Sequence, residues 1–184
     1  MKRRGVVITQ KFFNRSPVLV ARELIGKFLV RRVRGKEIAL MITEAEAYDG
    51  EKDLACHGAR GVTARTRVMF GEPRIFYVYL VYGTHYMLNI VTREKGYPSA
   101  VLIRGVAGIR GPGRVTKKYG IDTRTNGTKA EKRSGLWFED RGTRVGKRDI
   151  AKTPRIGVDY AGPIWSQKPY RFVLKAKILS RSHF

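Results

Sequence analysis

Residues 74–91 read Arg74-Ile-Phe-Tyr-Val-Tyr-Leu-Val-Tyr-Gly-Thr-His-Tyr-Met-Leu-Asn-Ile-Val91, two apolar arms meeting at Gly83. β-Branched and aromatic residues fill both arms, the composition that suits a pleated, half-buried surface. Gly83 supplies the positive φ that a short connection needs, so the stretch predicts a β-hairpin turning at Tyr82-Gly83-Thr84-His85. A tyrosine at the tip invites explanation, because turn tips favour small or polar residues. Packing down on its own sheet is the commoner fate of a strand aromatic. On a strongly basic chain the same ring also suits a wedge that enters a nucleic-acid stack, and the residues alone leave both readings open.

Upstream, Lys27–Val33 and Glu37–Thr43 predict a second hairpin, with Arg34-Gly35-Lys36 as its turn. Before it, Ser16-Pro17 opens a short helix that Gly26 closes, with Val20 and Leu24 on its buried face. If the second strand stays extended through Thr43-Glu-Ala-Glu-Ala-Tyr-Asp-Gly50, then Glu44, Glu46 and Tyr48 share one face. Carboxylates set directly on an apolar strand suggest a site; a solvated strand end is the alternative, and Glu44 taken alone is read that way. Glu51–Gly58 is a polar loop or short helix, in which a lone His57 reads as structural. Arg60, Arg65, Arg67 and Arg74 flank Met69-Phe70-Gly71, where they would hold a phosphate backbone while the hairpin works on bases. A solvated basic loop explains them equally.

Downstream, Ser99–Arg104 predicts a buried strand ending in a charge that faces either a cleft or solvent. Gly111-Pro112-Gly113 leads into a short helix from Arg114 to Tyr119, whose first N–H groups suit a phosphate. Residues 122–133 lack apolar periodicity and read as a loop. Strand-like patches recur at Leu136–Phe138, Arg155–Val158 and Tyr170–Lys175.

The chain has 184 residues, enough for one domain that buries roughly 70% of its unfolded surface. Its 38 Lys and Arg against 15 Asp and Glu give a net charge of +23, which points to a polyanionic partner. No run approaches membrane-spanning length, and the basic residues are spread along the chain, so nucleic acid is the expected partner and a membrane is not. Cys56 is the only cysteine, which leaves no intrachain disulfide and no cysteine-based zinc site. The N-terminal apolar run is too short, and too soon interrupted by Lys11, for a signal-peptide core. A reducing compartment is expected, either cytoplasmic and nucleoid-associated or nuclear.

Several pieces, in order and with fitting spacing, make this chain resemble the alkyladenine (3-methyladenine) DNA glycosylase family. They are Arg15–Lys27, Glu44-Ala-Glu-Ala-Tyr48 with His57, Arg67-Val-Met-Phe70, Tyr77–Gly83 with Asn89, Val101-Leu-Ile-Arg104, Gly111-Pro-Gly-Arg114 and Pro154-Arg-Ile-Gly-Val158. The resemblance runs through most of the chain. It implies a single glycosylase domain over residues 1–184, of α/β (α+β) class, with a curved, mostly antiparallel sheet, short surrounding helices and a protruding hairpin. It also implies a monofunctional enzyme that flips alkylated or deaminated purines out of double-stranded DNA and hydrolyses the N-glycosidic bond, starting base excision repair.

By the same resemblance Glu46, and not Glu44, matches the general base that activates water, and Arg104 matches a residue near that water and the target phosphate. Tyr48, His57 and Tyr79 match the walls of the base pocket. Asn89 matches the residue that rejects normal guanine, and Tyr82 the intercalating tyrosine. Arg65, Arg67, Gly113 and Arg114 are candidate phosphate contacts. Neither metal nor organic cofactor is called for, and a monomer is expected. Between Arg104 and Gly111 the chain is shorter than the family usually is, and Thr84 stands where the family commonly has methionine. Two rival readings are a non-catalytic basic nucleic-acid-binding protein, and a metal-dependent nuclease in which Glu44, Glu46, Asp49, Glu51 and Asp53 gather a divalent ion.

Overall fold

One strand runs through the centre of the molecule. In the computed structural model, which describes residues 5–175, β3 (Lys36–Asp49) is 14 residues long and pairs with different neighbours along its length. Its first half pairs with β2 (Phe28–Val33) across the Arg34-Gly35 turn, as the sequence predicts. Its second half lies between β6 (Ser99–Val106) and β10 (Arg171–Leu174). Beyond β2 the sheet continues through β8 (Leu136–Asp140) to β1 (Val6–Val7). Beyond β6 come β5 (His85–Val91) and then β4 (Phe76–Val81), the predicted central hairpin. Short β7 (Ile109–Arg110) folds back on β6, and β9 (Ile150–Thr153) pairs with β10. The described pairings are all antiparallel, and the result is an open α+β sheet of ten strands.

Alternation along β3 sorts its residues. Ala45 and Ala47 face the main core with no exposed surface. There they meet Val20 and Leu24 of α2 (Pro17–Leu24), together with Leu88, Ile90, Val101, Ile103 and Phe172. Burying such side chains is worth roughly 1.5–3 kcal/mol each, which is why this face sets the register. Gly26 ends α2 as expected, with φ +90° and its N–H on the Ile42 carbonyl. A four-residue helix, α1 (Gln10–Phe13), precedes α2 and buries Phe13. The opposite face of β3 carries Glu44, Glu46 and Tyr48 toward a second, smaller cluster of Cys56, Met69, Tyr77, Val91 and Ala100.

Two irregularities shape that face. Ile42, Glu44 and Ala45 pair with Val106, Gly105 and Ile103, so Thr43 and then Arg104 are extra residues in their strands. A bulge re-aims a side chain, and here the extra residue on β6 is the arginine that meets Glu44 and Glu46.

Helix α3 (Pro112–Tyr119) opens at Gly111 and closes at Gly120, and a short α4 (Gly162–Ser166) follows later. The segment between Arg104 and Gly111 holds the end of β6, a tight turn at Ala107-Gly108 and β7. One strand expectation is overturned: Arg155–Val158 lies outside any strand, and the strand is instead β9, just before it. Gly157 at φ +73° breaks extension there, and the Ile156 N–H goes to a carboxylate rather than a ladder carbonyl. Among the described residues, no helix is long and apolar enough to cross a membrane.

Candidate active site

Glu46 has no exposed surface. Its neighbours across the sheet are Leu102 and Arg171, and its side chain points away from the main core. Three donors meet its carboxylate. The Tyr48 hydroxyl donates to Oε2 at 3.0 Å, Arg104 Nη1 to the same oxygen at 3.4 Å, and the Ile156 N–H to Oε1 at 2.9 Å. A carboxylate offers about four acceptor positions, so room for another donor remains. Burial pushes the Glu46 carboxyl above its ordinary range, with Arg104, the Ile156 N–H and Tyr48 pulling the other way.

Glu44 is not a solvated strand end. Its Oε1 accepts from Arg104 Nε at 3.0 Å and from Arg171 Nε at 2.7 Å, and the side chain is largely buried. Glu44 therefore holds one edge of Arg104 while the other edge reaches Glu46. The surface reading of Arg104 falls with it, since its side chain is only 13% exposed.

In front of these residues lies a cavity of about 540 Å³, within the usual size of ligand pockets. Tyr48, Arg104 and Ile156, the three residues that contact Glu46, line it, as do His57, Tyr79, Asn89 and Tyr82. The seven residues that the sequence reading places at the base and its wedge, Glu46 included, thus converge on one site. Tyr79 and His57 meet edge to face at 4.6 Å, with Tyr77 5.2 Å from Tyr79. His57 Nδ1 shares a 3.0 Å hydrogen bond with the Tyr77 hydroxyl. Burial, helped by Arg65 and Arg60, lowers its pKa to about 4, so the ring is neutral at pH 7. Tyr48 is likewise held as a neutral phenol, chiefly by burial and then by Glu46. Asn89 Nδ2 donates to the Tyr77 and Met87 carbonyls at 3.2 and 3.3 Å, which fixes the orientation of its amide.

Gly58 brings His57 in. A Cβ there would lie 2.3 Å from Pro98 Cβ, so only glycine lets the turn carrying His57 pack this closely.

Tyr82 stands at the hairpin tip, 92% exposed, at φ +51° beside Gly83 at φ +67°. The left-handed conformation costs a tyrosine roughly 1–2 kcal/mol, and no packing of the ring offsets it. The alternative in which it packs on its own sheet is thereby set aside.

The phosphate candidates divide. Arg65, Arg67 and Arg114 are exposed, with Arg65 also lying 4.8 Å over the Tyr79 ring. Gly113 packs against the His85 ring, 3.0 Å from where its Cβ would sit. Arg74 instead donates Nε to the Ala130 carbonyl at 2.8 Å, which makes it a structural residue. The acidic run does not converge on one point. Glu44 and Glu46 meet arginines on the cavity face, and Asp53 pairs with Arg155. Among the described residues, no three His, Cys, Asp or Glu side chains are disposed to hold a metal.

Sequence reading missed the contributions of Arg155, Ile156, Arg171 and Tyr160, which also lines the cavity. The Pro154–Val158 block marked the neighbourhood, but not which of its atoms face Glu46.

A family model described as Methylpurine-DNA glycosylase (MPG) matches residues 11–110 and 107–178. Relatives named "Putative 3-methyladenine DNA glycosylase" cover most of the chain. That of Methanocella arvoryzae is 42% identical over 90% of this chain and 91% of its own length. That of Myxococcus xanthus is 42% identical over 89% and 88%, and that of Legionella pneumophila strain Paris 40% over 91% and 94%.

Proposed function

The chain belongs to the methylpurine-DNA glycosylase family, and on that premise we propose that it excises alkylated or deaminated purines from duplex DNA. The class includes 3-methyladenine, 7-methylguanine, hypoxanthine and ethenoadenine. The observation that carries this reading is a buried carboxylate, Glu46, set directly behind an aromatic cavity that opens beneath an exposed tyrosine.

The target purine leaves the stack and Tyr82 fills the gap, which offsets part of the cost of unstacking. In the cavity the base lies against Tyr48, Tyr79 and neutral His57. A positively charged alkylated ring gains from these electron-rich faces, and a neutral histidine adds no repulsion. Departure of the base leaves an oxocarbenium-like sugar. Water adds to C1′ while Glu46 accepts its proton, and the electrons of the broken C1′–N bond go with the base. The products are an abasic site and a free purine, which leaves neutral from a cationic lesion and takes a proton from solvent when the lesion is neutral. Arg104, anchored by Glu44, is assigned to a phosphate flanking the target sugar.

Duplexes carrying a single hypoxanthine or 7-methylguanine test this directly. Incubation in EDTA should release the free base, and strand breaks should appear only after hot alkali. Breaks without alkali would indicate lyase or nuclease chemistry, and intact bases on every lesion would indicate a binding protein.

A further inference from the structure

Among the described residues, one ion pair with both side chains fully enclosed lies outside the roles assigned so far. Neither side chain of the Asp53–Arg155 pair has any exposed surface. Arg155 donates from Nη1 and Nη2 to separate Asp53 oxygens at 2.5 and 2.8 Å. The same nitrogens reach the carbonyls of Ala47 at 2.9 Å and Trp165 at 3.1 Å. Its guanidinium carbon lies 4.9 Å from the centre of the Tyr48 ring. Asp53 in turn accepts the N–H groups of Asp49 and Ala55, both at 3.1 Å.

A buried ion pair is a poor staple, because desolvation cancels much of its attraction. What this one does is fix geometry. Ala47, whose carbonyl it grips, lies between Glu46 and Tyr48. Ile156, whose N–H reaches Glu46 at 2.9 Å, is the residue next to Arg155. One guanidinium therefore holds the strand end, the 51–56 loop and the segment after Pro154 around the base.

We infer that Asp53 and Arg155 are positioning residues for the glycosylase reaction proposed above: the pair aims the Ile156 N–H at Glu46 and seats the Tyr48 ring. An N–H bond to a carboxylate favours its charged form. Losing that aim makes Glu46 harder to ionise and slows the reaction. The other groups facing Glu46 are Glu44 and Tyr48 on its own strand, Arg104 from β6 and Tyr79 from β4, with Arg171 of β10 reaching it through Glu44. Of these, changing Arg155 touches only Tyr48, whose ring it seats, and replacement by lysine keeps the positive charge that Glu46 feels while removing the fork.

The test is a carboxyl-carbon NMR titration of Glu46 in the free protein, assigned by comparison with Glu46→Gln. In Arg155→Lys, Glu46 should titrate higher than in wild type by roughly half a unit or more. Single-turnover release of hypoxanthine at saturating enzyme should fall roughly tenfold, with the final yield unchanged. A folded Arg155→Lys protein in which Glu46 titrates as in wild type overturns the inference, as does a loss confined to the reacting fraction. If that variant does not fold, Asp53→Asn/Arg155→Gln is read by the same titration with the same two outcomes. The titration needs no DNA, so a wild type that releases no base would refute the proposed function and leave this result readable.

Discussion

Glu46 is a carboxylate whose surroundings pull in two directions, and the balance suits a base. Burial discourages ionisation, while Arg104, Ile156 and Tyr48 restore part of it. A base whose pKa lies closer to the working pH removes a proton more effectively than an ordinary exposed glutamate. His57 sits at the other extreme, neutral down to a pH of about 4. The unfolded chain binds a proton at this histidine below pH ~6.5, while the folded protein does not until pH ~4. Stability should therefore decline as pH falls through that window. In His57→Gln, thermal midpoints measured between pH 6.5 and 5 should fall less steeply than in wild type. Equal slopes would show that His57 titrates normally.

The two hairpins and α2 were legible in the residues because each depends on local pattern: apolar alternation, a glycine at the turn, a proline at the helix start. The Arg155–Val158 patch misled because its pattern is strand-like while its partners are distant. Ile156 bonds to a residue 110 positions away and Arg155 to one 102 away, and periodicity does not reveal such pairings. The side-by-side placement of Glu44, Glu46 and Tyr48 followed from strand alternation. That Glu44 anchors Arg104 did not, because the bulge that re-aims Arg104 involves two strands. Assignment of Glu46 over Glu44 as the base came from the family resemblance, not from strand alternation. At this scale the β4–β5 tip is the element to test. Tyr82→Ala leaves the strands intact and removes the exposed ring. It should shorten retention on lesion-bearing duplex and lower single-turnover excision by roughly tenfold or more, since stacking of this kind is worth about 1–3 kcal/mol. Unchanged kinetics would contradict the wedge.

Over the whole molecule the charge of +23 is carried partly by arginines already paired inside the fold, such as Arg155, Arg171 and Arg104. The exposed remainder, including Arg65, Arg67 and Arg114 near the cavity and hairpin, is available to phosphates. Binding to duplex should weaken linearly in log–log plots as salt rises, and each lost phosphate contact should reduce the slope by about 0.9. Arg67→Gln should shift the slope by that amount without altering the rate of bound complexes. A salt-insensitive affinity would contradict the basic face. The sheet holds Glu46 and Tyr48 on its longest strand and Tyr79 and Tyr82 on the hairpin that begins two strands away.

The most direct measurement is single-turnover release of hypoxanthine across pH, in EDTA, by wild type and Glu46→Gln. The wild-type rate should rise with pH through an inflection above the ordinary carboxylate range, and the variant, still binding DNA, should lose at least about two orders of magnitude, as expected for removing a general base. A variant that keeps the wild-type rate and inflection would show that Glu46 is not the group that activates water.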